Sequence, residues 1–107
     1  MKIVRTSVFE KSLKRLGASK TDLAKLEDAI AKNPQAGDVI QGLNGARKIR
    51  FAMGGKGKSG GGRAIYIAVI TADTAYLLLA YRKNDQTDLS PDQRKAIAAV
   101  IEELKDA

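Results

Sequence analysis

The spacing of apolar residues changes along this chain, and each change predicts a different element. Residues 2–5 can form a short strand. Ser7 stands three residues before Glu10, the spacing of a capping box, in which two side chains satisfy free N–H groups at a helix start. Phe9, Leu13 and Leu16 follow at i, i+4 and i+7, one face of a helix. Gly17-Ala18 interrupts that run. Ser19 with Asp22 opens a second helix, whose Leu23, Leu26 and Ile30 recur at i, i+3 and i+7. Asn33-Pro34 stops it, because proline disfavours helical backbone in the residue before it. Residues 7–33 are therefore predicted to form a helical hairpin.

The segment from Ala36 to Asn44 is polar and contains glycine, and it predicts a loop with little regular structure. A period of two then begins. In Arg47-Lys48-Ile49-Arg50-Phe51 the apolar Ile49 and Phe51 share one strand face, and Lys48 and Arg50 share the other. Residues 63–70, RAIYIAVI, and 75–81, AYLLLAY, are almost continuously apolar, which suits strands covered on both faces. The short link at 71–74 favours an antiparallel hairpin. Ser90-Pro91-Asp92-Gln93 is a helix start: serine caps, proline fits the first turn, and glutamine occupies the third helical position. Ile97, Val100, Ile101 and Leu104 mark the apolar stripe that follows. The predicted order is β-α-α-β-β-β-α. This is an α+β fold, with an N-terminal helical hairpin and a C-terminal helix packed on a mostly antiparallel sheet. The chain shows no repeat and no linker, so residues 1–107 are read as a single domain.

Composition narrows the chemistry. The chain has no cysteine, so disulfides and thiolate metal sites are excluded. It has no histidine, which removes the usual acid–base group near neutral pH and the commonest metal ligand. Any catalysis must draw on Lys, Arg, Tyr, Asp or Glu, and no metal or cofactor is implied. No apolar run approaches the roughly 20 residues of a membrane span. The charged N-terminus carries no signal-peptide core, so a cytoplasmic protein is expected.

The net charge of +7 is segregated. Between Gly45 and Asn84 eight basic residues face one acidic residue, Asp73; the rest of the chain has 11 of each and sums to zero. Segregated positive charge attracts phosphates, and nucleic acid is the commonest polyphosphate partner. Six of the nine residues in 54–62, GGKGKSGGG, are glycine, and Lys56 and Lys58 add charge between Arg50 and Arg63. This segment lacks the phosphate-loop pattern, because a triglycine and a strand follow Lys58-Ser59 where a helix would be needed. It reads instead as a connection able to close on a phosphate backbone. Lys48 and Arg50, on one strand face, are spaced to meet phosphate oxygens. Sequence alone does not say whether they share a site with Arg63 or with Arg82 and Lys83.

The run RKIRFA…GKGKSGGGRAIYI, followed by YLLLAYRKNDQTDLSPDQRKAI, resembles the RelE/ParE superfamily of bacterial type II toxins, and within it the HigB-like branch of RelE toxins. The likeness covers nearly the whole chain. It implies a toxin that enters the ribosomal A site and cuts messenger RNA, with a cognate antitoxin protein to neutralise it. By position, the family's paired basic residues fall on Lys48 and Arg50, the arginine opening the next strand on Arg63, and the basic position after the last strand on Arg82 or Lys83. Relatives often place a tyrosine or histidine near the C-terminus as an acid–base group, and this chain has neither beyond Tyr81.

On that reading Lys48, Arg50, Arg63 and Lys83 are the catalytic set. Arg47, Lys56, Lys58, Arg82, Tyr66 and Tyr81 contact RNA or the ribosome. RNA carries its own nucleophile, the 2′-hydroxyl; a base takes its proton and an acid protonates the departing 5′-oxygen. Fixed cations stabilise the charge that grows on the phosphoryl oxygens, and no metal is required. A lysine crowded by cations has a depressed pKa, which makes Lys48 or Lys56 the expected base. Arg63 stays charged and can grip phosphate bidentately. Tyr66 and Tyr81 are candidates for base stacking or proton donation. Two other readings remain open on sequence: a ParE-like inhibitor of DNA gyrase with no nuclease activity, and a non-catalytic RNA-binding module.

Overall fold

Thr6, rather than Ser7, caps the first helix: its hydroxyl accepts a hydrogen bond from the Phe9 N–H at 3.3 Å. The expected Ser7–Glu10 box does not form, because the chain turns one residue earlier, where the Thr6 N–H donates to the Leu77 carbonyl. Ser19 and Asp22 do form a reciprocal box, and so do Ser90 and Gln93. The computed structural model describes residues 1–53 and 61–106. Most of the glycine-rich segment, with Lys56 and Lys58, lies outside the described residues.

The elements are β1 (Lys2–Arg5), α1 (Ser7–Leu13), α2 (Lys20–Lys32), β2 (Asp38–Val39), β3 (Arg47–Phe51), β4 (Gly62–Val69), β5 (Thr74–Arg82) and α3 (Pro91–Asp106). A 3-10 turn at Ile70–Ala72 joins β4 to β5. The five strands form one sheet in the order β1-β5-β4-β3-β2. Only the β1–β5 pair is parallel. The α+β architecture is as expected, with one correction. The segment from Ala36 to Asn44 is not all loop, since β2 within it adds an edge strand.

Both faces of the central strands are covered, which is why β4 and β5 are nearly continuous in apolar residues. Phe9 from α1 and Leu26 and Ile30 from α2 pack with Ala64, Tyr66 and Leu77 on one face. Ile97 and Ile101 from α3 pack with Ile65, Leu78 and Leu79 on the other. Adjacent residues Leu78 and Leu79 reach the same layer because the ladder slips there. Ile65 pairs with Leu79 but Tyr66 pairs with Leu77, so Leu78 is an extra residue on β5. The bulge reverses the alternation for the rest of β5. Ala80 and Arg82 turn to the hairpin side, and Tyr81 turns to the α3 side.

Candidate active site

Lys48 stands opposite Ile65 and Arg50 stands opposite Arg63 in the β3–β4 ladder. Opposed residues share a sheet face, so all three cations lie on the α3 side with Ile65. Arg63 in turn stands opposite Tyr81 of β5. The Lys83 N–H donates to the Gly61 carbonyl at 3.2 Å, which carries the ladder one residue past β5 and brings Lys83 beside the start of β4. Lys48, Arg50, Arg63 and Lys83 then line one pocket of about 270 Å³ with Asp38 and Thr87. The four residues expected to be catalytic therefore meet in space.

The electrostatics of this pocket are unfavourable to the empty fold. Like charges directly opposite on neighbouring strands destabilise a sheet, and Arg50 faces Arg63 in that way. Arg63 is also only 7% exposed. Its Nη1 donates to the Gly62 carbonyl at 3.1 Å, a bond that leaves its charge uncompensated. The ion pairs of the described residues lie elsewhere, at Met1–Asp73, Arg5–Glu10, Arg5–Glu27 and Lys32–Asp28. Among the described residues the pocket thus gathers four cations and one carboxylate with no ion pair, a field that favours an anion.

A larger groove, about 600 Å³, runs between α1 and α3. Its volume exceeds that of the basic pocket, but its polar wall mixes Lys11, Arg15 and Arg82 with Asp85, Gln86 and Gln93, and the Arg82 guanidinium is taken up by the Leu16 carbonyl. No two cations of that groove oppose each other across a strand ladder as Arg50 and Arg63 do, and we place the candidate site in the smaller pocket on that ground.

Of the residues expected to touch RNA or the ribosome, Arg47, Tyr66 and Arg82 bond backbone groups of the fold. Arg47 lies opposite Tyr66, on the hairpin side, and its guanidinium donates to the Gly37 carbonyl at 2.8 Å and the Gln35 carbonyl at 3.3 Å. Tyr66 is fully buried. Its hydroxyl donates to the Pro34 carbonyl at 2.8 Å and accepts the Gly37 N–H at 3.0 Å, so no ring face is open for stacking. Arg82 donates from Nη2 and Nε to the Leu16 carbonyl at 2.6 and 3.2 Å. The turn after α1 exposes that carbonyl, and Gly17 makes the turn possible with φ +74°, a conformation that side chains disfavour. Arg82→Ala is expected to destabilise the fold by about 1.5–3 kcal/mol, the range for hydrogen bonds to a charged group. A urea melt measures this, and an unchanged midpoint would refute the clamp.

Tyr81 is buried on the α3 side, and its hydroxyl has no hydrogen-bond partner among the described residues. Burial raises its pKa above the ordinary tyrosine value and the Asp88 carboxylate adds to the rise, while Arg63 pulls the other way. The folded state thus holds the phenol proton more tightly than the unfolded chain does. The stability this contributes is complete below the unfolded value, about 10, and is lost as pH rises through the folded value. Wild type should therefore lose stability more steeply than Tyr81→Phe above about pH 10. Parallel alkaline melts of the two proteins check this, and identical slopes would count against it.

Asp38 and Thr87 were not anticipated in the pocket. Asp38 stands opposite Lys48 because β2 pairs with β3. The sequence signal for β2 is two residues long, too short for any period to show.

A family model described as the RelE toxin of the RelE/RelB toxin–antitoxin system matches residues 1–107. The chain belongs to the RelE toxin family. Solved structures agree on the fold. The free-state structure of a mutant E. coli RelE toxin superposes with a TM-score of 0.62 at 12% identity, covering 94% of this chain and 96% of that one. The isolated E. coli RelE toxin gives 0.57 at 17% identity, covering 92% and 97%. The toxin–antitoxin complex RelBE of E. coli gives 0.55 at 18% identity, covering 74% and 92%. At such identities the RelE likeness extends to the fold alone. Among the described residues, no helix is long and apolar enough to cross a membrane.

Proposed function

We propose that this chain is the toxin of a type II toxin–antitoxin pair and that it cuts messenger RNA in the ribosomal A site. The observation that carries the reading is the pocket in which Lys48, Arg50, Arg63 and Lys83 converge with a single carboxylate, Asp38, and no ion pair among the described residues. In the reaction the ribose 2′-oxygen attacks the adjacent phosphorus, and the 5′-oxygen leaves. Charge builds on the two non-bridging oxygens. Arg50 and Arg63, already held opposite one another, stabilise that charge most in the transition state. Lys48 and Lys83 complete the cation ring. The ribosome holds the message in a geometry suited to in-line attack, which lowers the entropic part of the barrier. We place the chain in the HigB-like branch on the GKGKSGGGRAIYI run. A cognate antitoxin would relieve the repulsion in the pocket with acidic or apolar segments.

Purified ribosomes with a defined message test the reading. Cleavage at discrete codons, leaving a 2′,3′-cyclic phosphate and a 5′-hydroxyl, is the expected result. Intact message, or DNA breaks that depend on gyrase, would overturn it. Expression without an antitoxin should arrest growth, and co-expression should restore it.

A further inference from the structure

Among the described residues, Asp38 is the one acidic residue lining the basic pocket, and we propose that it is the general base of the cleavage reaction. The inference rests on the ribonuclease reading and assigns its proton acceptor to a carboxylate in place of the lysine, Lys48 or Lys56, expected from sequence. Lysine is a poor base at neutral pH because its amine is almost wholly protonated, whereas carboxylates are ordinarily ionised there. A carboxylate placed among cations would usually be consumed by an ion pair. Asp38 forms none within the described residues, although Lys48 of β3 stands directly opposite it. Its remaining neighbours in the pocket are Arg50 of β3, Arg63 of β4, Lys83 after β5, and Thr87 before α3.

The fold delivers this carboxylate by a specific device. The Tyr66 hydroxyl bridges the Pro34 carbonyl and the Gly37 N–H, so the chain entering β2 is tied to the middle of β4. A Cβ at Gly37 would lie 2.8 Å from the Lys48 carbonyl oxygen and 3.0 Å from the Tyr66 ring. Glycine is what lets the backbone come that close, and the residue after it is Asp38. Tyr66 is accordingly a positioning residue that acts through Asp38. No RNA role is needed to explain it.

In the proposed step the Asp38 carboxylate takes the 2′-hydroxyl proton. The freed electron pair on O2′ forms the O2′–P bond as the P–O5′ bond breaks. The 5′-oxygen leaves with that bond pair and takes a proton from one of the two pocket ammonium groups, Lys48 or Lys83. The products are a 2′,3′-cyclic phosphate and a 5′-hydroxyl. Solvent then returns the ammonium proton and removes the one held by Asp38.

The test compares wild type and Asp38→Asn, with the full chain on ribosomes programmed with two messages. One is unmodified, and the other carries sulfur in place of the bridging 5′-oxygen at the cut site. Sulfur leaves without a proton, so it rescues a missing acid but not a missing base. The expected result is a loss of about 10²- to 10⁴-fold in single-turnover cleavage of both messages, with ribosome binding within threefold of wild type. Asp38→Asn cleaving within threefold of wild type would overturn the assignment, as would a defect that the sulfur message restores. A wild type that leaves the unmodified message intact would instead overturn the ribonuclease reading itself. In the Asp38→Asn background, adding Tyr66→Phe should slow cleavage no further, whereas a further large loss would refute the positioning role.

Discussion

Arg63→Ala is expected to lower message cleavage by about 10²- to 10³-fold, the usual effect of removing one preorganised charge donor, while leaving the fold as stable as before or more so. The two effects have opposite signs for one reason. Arg63 is buried, faces Arg50 across the ladder, and lacks an acidic partner among the described residues. In the empty protein its charge is a burden, and removing it relieves the repulsion with Arg50 at the expense of some packing of the side-chain stem. On the proposed reading, a bound phosphate would supply the anion that this charge lacks. A residue kept for stability would show the reverse pattern. Single-turnover cleavage and a thermal melt of the same preparation measure both quantities. Cleavage within threefold of wild type would remove Arg63 from the mechanism. A melting point lowered by many degrees would show that the arginine is structural.

Tyr66→Phe and Tyr81→Phe delete the same atom from two buried tyrosines and should differ in outcome. At Tyr66 the hydroxyl makes two hydrogen bonds, and its loss strands the Gly37 N–H and the Pro34 carbonyl. A stranded buried polar group costs about 1–3 kcal/mol, so Tyr66→Phe should lose about 2–3 kcal/mol, a large share of the stability of a domain this size. At Tyr81 the hydroxyl is buried with no partner among the described residues, and removing it should leave stability unchanged or raise it. Denaturant melts of both variants decide the matter. Equal losses would mean that Tyr81 has a partner the structure does not describe, or that the clasp at Tyr66 carries no energy.

Several elements were legible because their signals are local. The Ser19–Asp22 and Ser90–Gln93 boxes each lie within four residues, and the structure forms both. The first helix shows the limit of such signals. Ser7 and Glu10 have the right spacing, but the preceding Thr6 takes the capping position because its N–H and hydroxyl both bond the Leu77 carbonyl. That contact spans most of the chain, and no local pattern contains it. The burial of the tyrosines was hidden for a similar reason. A tyrosine in an apolar strand looks alike whether its hydroxyl meets solvent or, as at Tyr66, a carbonyl 32 residues away.

The sequence by itself determined the order of the elements apart from β2, the faces of β3 and the concentration of positive charge between Gly45 and Asn84, since periodicity and composition depend on neighbours along the chain. The tertiary structure alone decided which of those charges meet. Strand register set Arg50 against Arg63. The extra residue at Leu78 sent Lys83 into the pocket and Arg82 to the Leu16 carbonyl. Docking of the chain at Gly37 added a carboxylate to the pocket. Side chains alternate across a strand, so a single inserted residue exchanges the faces of everything after it. Pairing between distant segments fixes where that insertion falls.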